Sequence, residues 1–208
     1  MFLLITPIKV SADETVSQNL DNFVILDDVT LYNMEEDSYY LFATNENLYE
    51  FLVVISGNDN VSTYACLPGD PGYPNCNGDA VVKVETKTIK TTTTGYVLSN
   101  NWLLGNNGWI YGPGTCGLTI GRTYGATFGI TQDGITGSFN HSVTVNQSYS
   151  YSVVAGKKGN FKYTCKLRIE TKQYIYTLES GKKSTGPSYL VTKMIDGTGG
   201  FKGISVKI

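Results

Sequence analysis

The side chains that could carry out catalysis are few in this sequence. It contains one histidine, His141, and the alternating pattern around it places that histidine on the apolar face of a strand beside Val143. Asp27 and Asp28 could bind calcium or act as paired glycosidase carboxylates, but adjacent carboxylates in a turn usually point apart and remain solvated. The Gly-x-Ser-x-Gly motif of serine hydrolases is absent. We therefore predict a protein that is not an enzyme and carries no cofactor.

The four cysteines are the next candidates for chemistry. Cys66 and Cys76 flank the loop 67–75, which contains three prolines and two glycines and would gain order from a bridge across its base. Cys116 and Cys165 would then form a second bridge, although four cysteines allow three pairings. A zinc site is the rival interpretation, but there is no Cys-x-x-Cys spacing to support it. We expect two disulfides and no metal site.

Charge is divided unequally along the chain. The formal net charge of −2 excludes a generally basic nucleic-acid-binding protein. Residues 1–80 nevertheless hold 13 acidic residues against Lys9 alone, a net charge of −12, whereas residues 81–208 hold 15 basic and 5 acidic residues, a net charge of +10. The two parts could be solvated faces of opposite sign, or could dock on each other. Alternatively, the basic part could contact an anionic cell wall, glycan or lipid surface.

The basic part contains the candidate residues for contact with such a surface. They are Lys157, Lys158, Lys162, Lys166, Arg168, Lys182 and Lys183. Trp102 and Trp109, in the Asn- and Gly-rich stretch 100–117, could stack on sugars or lie at a lipid interface. They could equally close the end of a β core.

The start of the sequence suggests export. Residues 1–12 form an apolar run ending in Val10-Ser11-Ala12, typical of the cleavage end of a signal peptide, although the usual basic residues before the run are missing. A first β-strand is the alternative. We expect a truncated signal peptide over 1–12, an acidic β-rich part over 13–80 and a basic β-rich part over 81–208. No stretch approaches the ~20 apolar residues of a transmembrane helix.

Composition and periodicity predict an all-β fold. The chain has 24 Thr, 23 Gly and 15 Tyr but only 6 Ala, and Thr and Tyr favour strands whereas Ala favours helices. In the acidic part, the apolar runs 23–26, 39–42 and 51–55 have strand length, with a weakly signalled helix near Thr44 to Tyr49.

The clearest pattern is a long amphipathic hairpin over 119–153. Small polar and apolar residues alternate along both of its arms, and Asp133-Gly134 marks the turn between them. The expected architecture is therefore an antiparallel β sandwich or an elongated twisted sheet that carries this hairpin and is held by disulfides. Arg122, His141 and Gln147 on the apolar face favour the sandwich over direct lipid contact.

The hairpin and the segment Val153-Val154-Ala155-Gly156-Lys157-Lys158-Gly159 that follows it resemble the stem of aerolysin and epsilon-toxin type pore-forming proteins. The sequence also resembles β-rich secreted proteins of Gram-positive bacteria. The first resemblance implies a hairpin that refolds into a membrane barrel after receptor binding and homo-oligomerisation. The sequence departs from that pattern in the basic strand 161–171 and in the predicted disulfides, either of which would hold the hairpin in place.

Together these observations predict a secreted, non-enzymatic β-rich protein that binds a cell-surface or anionic partner. The first alternative is an aerolysin-like pore-forming toxin, and the second is an extracellular hydrolase whose site has no recognisable motif.

Overall fold

A computed structural model of the protein describes residues 20–56, 81–178 and 180–208. These segments contain fourteen strands, one α-helix and a short 3₁₀ turn, Leu20–Asn22, and every strand pairing for which a register is given is antiparallel. The predicted all-β class is confirmed. In this part of the chain no helix is long and apolar enough to cross a membrane.

The strands follow one another along the whole described chain. In order they are β1 (Phe23–Asp27), β2 (Thr30–Asn33), β3 (Ser38–Phe42), β4 (Val81–Thr93), β5 (Val97–Leu98), β6 (Ile110–Tyr111), β7 (Gly114–Leu118), β8 (Thr123–Gln132), β9 (Ile135–Thr144), β10 (Tyr149–Val153), β11 (Lys157–Cys165), β12 (Leu167–Leu178), β13 (Lys183–Met194) and β14 (Gly200–Lys207). The helix α1 (Asn45–Ile55) lies between β3 and β4.

The chain forms two compact units, each discontinuous in sequence. Unit 1 comprises Met1–Thr91 and Glu170–Val191, and unit 2 comprises Thr92–Ile169 and Thr192–Ile208. The residues expected to form a signal peptide, 1–12, and Ala80, where the charge changes sign, lie outside the described part, so these expectations stay predictions.

Unit 1 is built on a six-stranded sheet in the order β1-β2-β3-β13-β12-β4. Its core is rich in aromatic rings gathered around Tyr189, whose ring lies 5.4 Å from that of Phe42 and 5.3 Å from that of Phe51. Aromatic pairs at these separations add to the free energy gained by burying apolar area.

The helix α1 corrects one expectation. The apolar run 51–55 was expected to form a strand, but it is the second half of α1. The Thr44 hydroxyl caps the helix by accepting a hydrogen bond from the Asn47 amide at 3.3 Å. Leu48 and Phe51 are both buried in the core, and their spacing of three residues suits one helix face.

Unit 2 is built around β11. This strand pairs with β14 over eight positions on one edge, and on the other edge with the short strands β5 and β6. A separate pair, β7 with β10, and the hairpin of β8 with β9 complete the unit.

The predicted hairpin is confirmed over its central part. Ten consecutive residue pairs join β8 to β9, from Thr123 opposite Thr144 to Gln132 opposite Ile135. Asp133 and Gly134 both have positive φ, 52° and 81°, as a two-residue type I′ turn requires. Beyond this range β10 leaves the hairpin and pairs with β7, so the paired strands are shorter than the predicted 119–153.

The expected bridge between Cys116 and Cys165 is not formed, because both residues are buried free thiols. A position on the apolar face of a strand, as for Cys165, suits a free cysteine as well as a disulfide, because the thiol behaves as a small apolar group. Cys66 and Cys76 lie outside the described residues.

Candidate functional site

The candidate site of unit 2 is assembled along one edge of β11 by the chain segment 94–112. The Thr94 amide donates to the Leu167 carbonyl at 2.9 Å, the Leu103 amide donates to the Phe161 carbonyl at 2.9 Å, and the Gly112 amide donates to the Lys157 carbonyl at 2.9 Å. The segment thus runs in the direction opposite to β11, leaving it at Asn100, whose amide donates to the Thr127 carbonyl at 2.6 Å. It brings its aromatic side chains to lysines of β11 and to Lys166.

Two lysines of β11 and Lys166, the residue after this strand, each lie over an aromatic ring of this segment. The ammonium nitrogen of Lys158 is 4.7 Å from the ring centroid of Trp109, that of Lys162 is 4.7 Å from Trp102, and that of Lys166 is 5.0 Å from Tyr96. The two indole rings are themselves 4.7 Å apart. We call these six residues the aromatic–lysine ladder.

The spacing of the lysines explains the ladder. Successive side chains of a strand point to opposite faces, so residues four apart share a face and lie about 13 Å from each other. Lys158, Lys162 and Lys166 are each four apart. On the opposite face, burial raises the pKa of the Tyr163 hydroxyl and of the Cys165 thiol.

Asn160, between Lys158 and Lys162, holds in position the loop that joins Trp102 to Trp109. It is fully buried, and its side-chain amide donates to the Gly105 carbonyl at 3.0 Å while its carbonyl oxygen accepts from the Leu104 amide at 3.2 Å. A buried amide with both groups satisfied fixes the backbone it contacts, because breaking either bond would leave a buried polar group without a partner.

The sheet beside the ladder concentrates positive charge. Lys157 lies directly opposite Lys207, and Lys162 lies directly opposite Lys202, in the register of β11 with β14. Like charges in these positions destabilise a sheet. Within the described part of the chain none of the four forms an ion pair with a carboxylate.

This excess of positive charge extends over all of unit 2, which contains nine basic residues against Asp133 and Asp196, a net charge of +7. A sheet that places lysines opposite one another without a carboxylate is suited to an external anion, because that anion would remove the repulsion.

The ladder also orders the lysines it contains. A cation–π contact contributes about 0.5–1 kcal/mol at an exposed site, and Lys162 further donates to the Asn100 carbonyl at 3.1 Å. A lysine held in this way loses less conformational freedom when it meets an anion than a free lysine does. The remaining N–H donors of the three ammonium groups can bind sulfate, phosphate or carboxylate oxygens.

The structure brings together only some of the residues that the sequence suggested. Lys158, Lys162, Lys166, Trp102 and Trp109 form the ladder, and Lys157 lies at the start of the same strand. Tyr96, Asn160, Lys202 and Lys207 are additions that the sequence analysis missed. The even spacing of lysines along β11 was visible in the sequence, whereas their aromatic partners were not.

The other suggested basic residues lie elsewhere. Arg168 is on β12, and Lys182 and Lys183 belong to unit 1. Lys183 lies 3.8 Å from the Glu85 carboxylate, which Lys83 also approaches at 2.9 Å. The pKa of Glu85 is lowered by its hydrogen bond with Lys83 and by the charges of both lysines. Lys183 is thus partly neutralised by a carboxylate, whereas in the part of the chain that the structure describes the lysines of β11 form no ion pair.

Within the described segments no three His, Cys, Asp or Glu side chains come together in a way that could hold a metal ion. His141, on β9, is half-buried. Comparisons with protein-family models, with curated proteins and with solved structures gave no match to this chain.

Proposed function

We propose that the protein binds an anionic polymer or cell surface, without catalysing a reaction, and that the aromatic–lysine ladder is its contact site. The observation that carries this proposal is the row formed by Lys158 and Lys162 of β11 and Lys166 just after it, each lying over an aromatic ring. The apolar N-terminal run 1–12 of the sequence supports an extracellular location for this binding.

The geometry of the ladder supports a linear polyanion as the partner. Lysines four apart on a strand lie about 13 Å from each other, so the row from Lys158 to Lys166 spans about 26 Å. An anionic glycan or wall polymer carries repeated charges along its length, and several weak contacts at fixed spacing add up without any deep pocket. The two half-buried indole rings of the ladder can in addition contact sugars.

Binding to immobilised dextran sulfate over a range of salt concentrations tests the proposal. Each lysine that contacts the polyanion releases about one counterion, so Lys158→Gln with Lys162→Gln is expected to lower the slope of log affinity against log salt by about two. The matched control is Lys87→Gln with Lys182→Gln, which removes two exposed lysines of unit 1 and is expected to leave the slope unchanged. Equal slopes for both variants and the wild type would contradict the proposal.

A second candidate function, pore formation by the β8–β9 hairpin, is supported by the equal length of its two strands. Each arm has ten residues, and ~9–11 residues suffice to cross a bilayer. Burial alternates along both strands, with Tyr124, Ala126, Phe128 and Ile130 buried and the residues between them mostly exposed. Such a hairpin presents one apolar and one polar face both when it packs in unit 2 and when it crosses a bilayer.

Two of the polar residues that argued against lipid contact fall outside the paired strands. Arg122 precedes β8 and Gln147 follows β9. Of the three polar residues on the apolar face, His141 is the one that lies within β8 or β9. The apolar face is at present buried in unit 2, where the ring of Phe128 lies 6.4 Å from that of Tyr163. Pore formation would therefore require the hairpin to leave this packing and associate with hairpins of other copies.

Release of a fluorescent dye from liposomes, together with a search for SDS-resistant oligomers, tests this second function. The control is a reversible lock, Asn100→Cys with Gly129→Cys, because the Asn100 side chain lies 2.8 Å from the position of a Cβ on Gly129. A pore-former should release dye only after this lock is reduced. A wild-type protein that stays monomeric and releases no dye excludes the pore.

A further inference from the structure

Unit 2 exposes apolar side chains at the end where β10 turns into β11. Tyr111 is 60% exposed, Val154 56% and Ile110 37%. Ile110 and Tyr111 form the strand paired with the start of β11, so their side chains point to opposite faces of the sheet at this end. A Cβ on the next residue, Gly112, would lie 2.0 Å from the Val154 carbonyl oxygen. We call Ile110, Tyr111 and Val154 the apolar tip.

Three lysines lie at the same end of unit 2 as the apolar tip, Lys158 on one face of the sheet and Lys157 and Lys207 on the other. Lys158 lies directly opposite Tyr111 in the register of β6 with β11, the Lys157 amide donates to the Val154 carbonyl at 3.2 Å, and Lys207 lies opposite Lys157. The two acidic residues of unit 2 lie elsewhere in the unit. Asp133 is in the turn of the hairpin, and Asp196 precedes β14, whose first residue pairs near the far end of β11.

Single exposed apolar residues are ordinary on protein surfaces, but these three share one end of the unit with a set of lysines. A soluble polyanion gives no reason for exposed Val and Ile, which neither stack on sugars nor form hydrogen bonds. The interface of an anionic bilayer accommodates both features, because apolar and Tyr side chains enter the headgroup region while lysines contact lipid phosphates.

We infer that the protein also binds an anionic lipid bilayer, into whose interface the apolar tip inserts while Lys157, Lys158 and Lys207 contact the headgroups. The inference rests on the proposed function and names the kind of surface that it serves. It requires no movement of the hairpin and no pore, since all six side chains already lie at one end of unit 2.

Co-sedimentation with phosphatidylcholine vesicles containing about 30% phosphatidylglycerol tests the inference. Replacing the tip, by Tyr111→Ser with Val154→Ser, is expected to lower vesicle binding at least about tenfold, because apolar area no longer leaves water. The matched control is Ile89→Ser with Ile120→Ser, since these side chains are 49% and 58% exposed but lie outside the tip. This control is expected to bind vesicles as the wild type does.

Binding to dextran sulfate, measured in parallel, separates this inference from the proposed function. The tip variant should keep its affinity for dextran sulfate, which offers charge but no apolar interface. Wild-type-like vesicle binding by the tip variant, or equal binding of the wild type to pure phosphatidylcholine, would overturn the lipid inference. If dextran sulfate binding still depends on Lys158 and Lys162, the proposed function survives that outcome; if the wild type binds neither dextran sulfate nor vesicles, both fail.

Discussion

At the scale of single residues, the environment of a side chain decides its chemistry, and Cys165 is the clearest case. Its alternating neighbours correctly place it on the buried face of β11, but burial suits a free thiol as well as a disulfide. With no bonded partner and full burial, desolvation of the thiolate raises the pKa of Cys165 from 9.0 to about 11. The thiol is therefore predicted to stay protonated and unreactive at neutral pH.

This shift predicts a loss of stability in alkali. Between pH 9 and 11 the folded protein keeps the thiol proton that the unfolded chain has lost, so the free energy of unfolding falls as the pH rises. The contribution is complete below pH 9 and decreases by about 2 kcal/mol by pH 11. Urea unfolding below pH 9 and near pH 11 measures it.

Cys165→Ala supplies the control, because it removes this thiol and leaves the other groups that titrate in alkali. The variant should show a smaller decrease in unfolding free energy over the same pH interval. An identical pH dependence for the variant and the wild type would mean that the thiol titrates normally in the folded protein.

At the scale of elements, signals confined to one strand or turn were predictive, whereas short apolar runs were ambiguous. The hairpin followed from alternation and from Asp133-Gly134. The run 51–55 was misassigned because five consecutive apolar residues fit either a strand or part of a helix. A longer stretch of the sequence indicates the helix, since its apolar residues have helical spacing and all contact or line the core of unit 1. These residues are Leu48, Phe51, Leu52 and Ile55.

The hairpin predicts a sharp difference between its two faces. Phe128 is 1% exposed and stacks on Phe139 at 5.5 Å, so Phe128→Ala should lower the free energy of unfolding by about 3–5 kcal/mol. Thr131 is exposed, and its hydroxyl lies 3.1 Å from the Thr136 hydroxyl. Thr131→Ala should therefore change the free energy of unfolding by less than about 0.5 kcal/mol. Similar losses in urea unfolding for both variants would show that the buried face is not closely packed.

At the scale of the whole molecule, the net charge of −2 conceals a strong separation of charge. Unit 2 carries +7, and lysines that face one another across β11 and β14 concentrate part of it. Fields of this kind act locally, because charges further apart than about 10 Å are screened at moderate salt. An anionic surface close to unit 2 therefore interacts with the charge of that unit and is little affected by the net charge of the whole molecule.

We expect the protein to be retained by a cation exchanger at neutral pH, above its isoelectric point of about 5.4. Lys162→Gln with Lys202→Gln should elute at lower salt than Lys87→Gln with Lys182→Gln, although both pairs change the net charge equally. Flow-through of the wild type, or elution of both variants at the same salt concentration, would show that the charge of unit 2 does not act as a local surface.

The sequence by itself determined the features that depend on near neighbours. These are the β class, the hairpin with its turn, and the alternation that places Lys162 and Lys166 on one face of the chain, because strand periodicity fixes the direction of every second side chain. Only the tertiary structure decided which rings lie beneath those lysines. The hydrogen bonds from Asn160 to Leu104 and Gly105 join residues 56 and 55 positions apart. No local sequence pattern indicates which distant segments come together in the fold. For the same reason the sequence indicated a basic part of the chain, while the fold decided which lysines lie over aromatic rings.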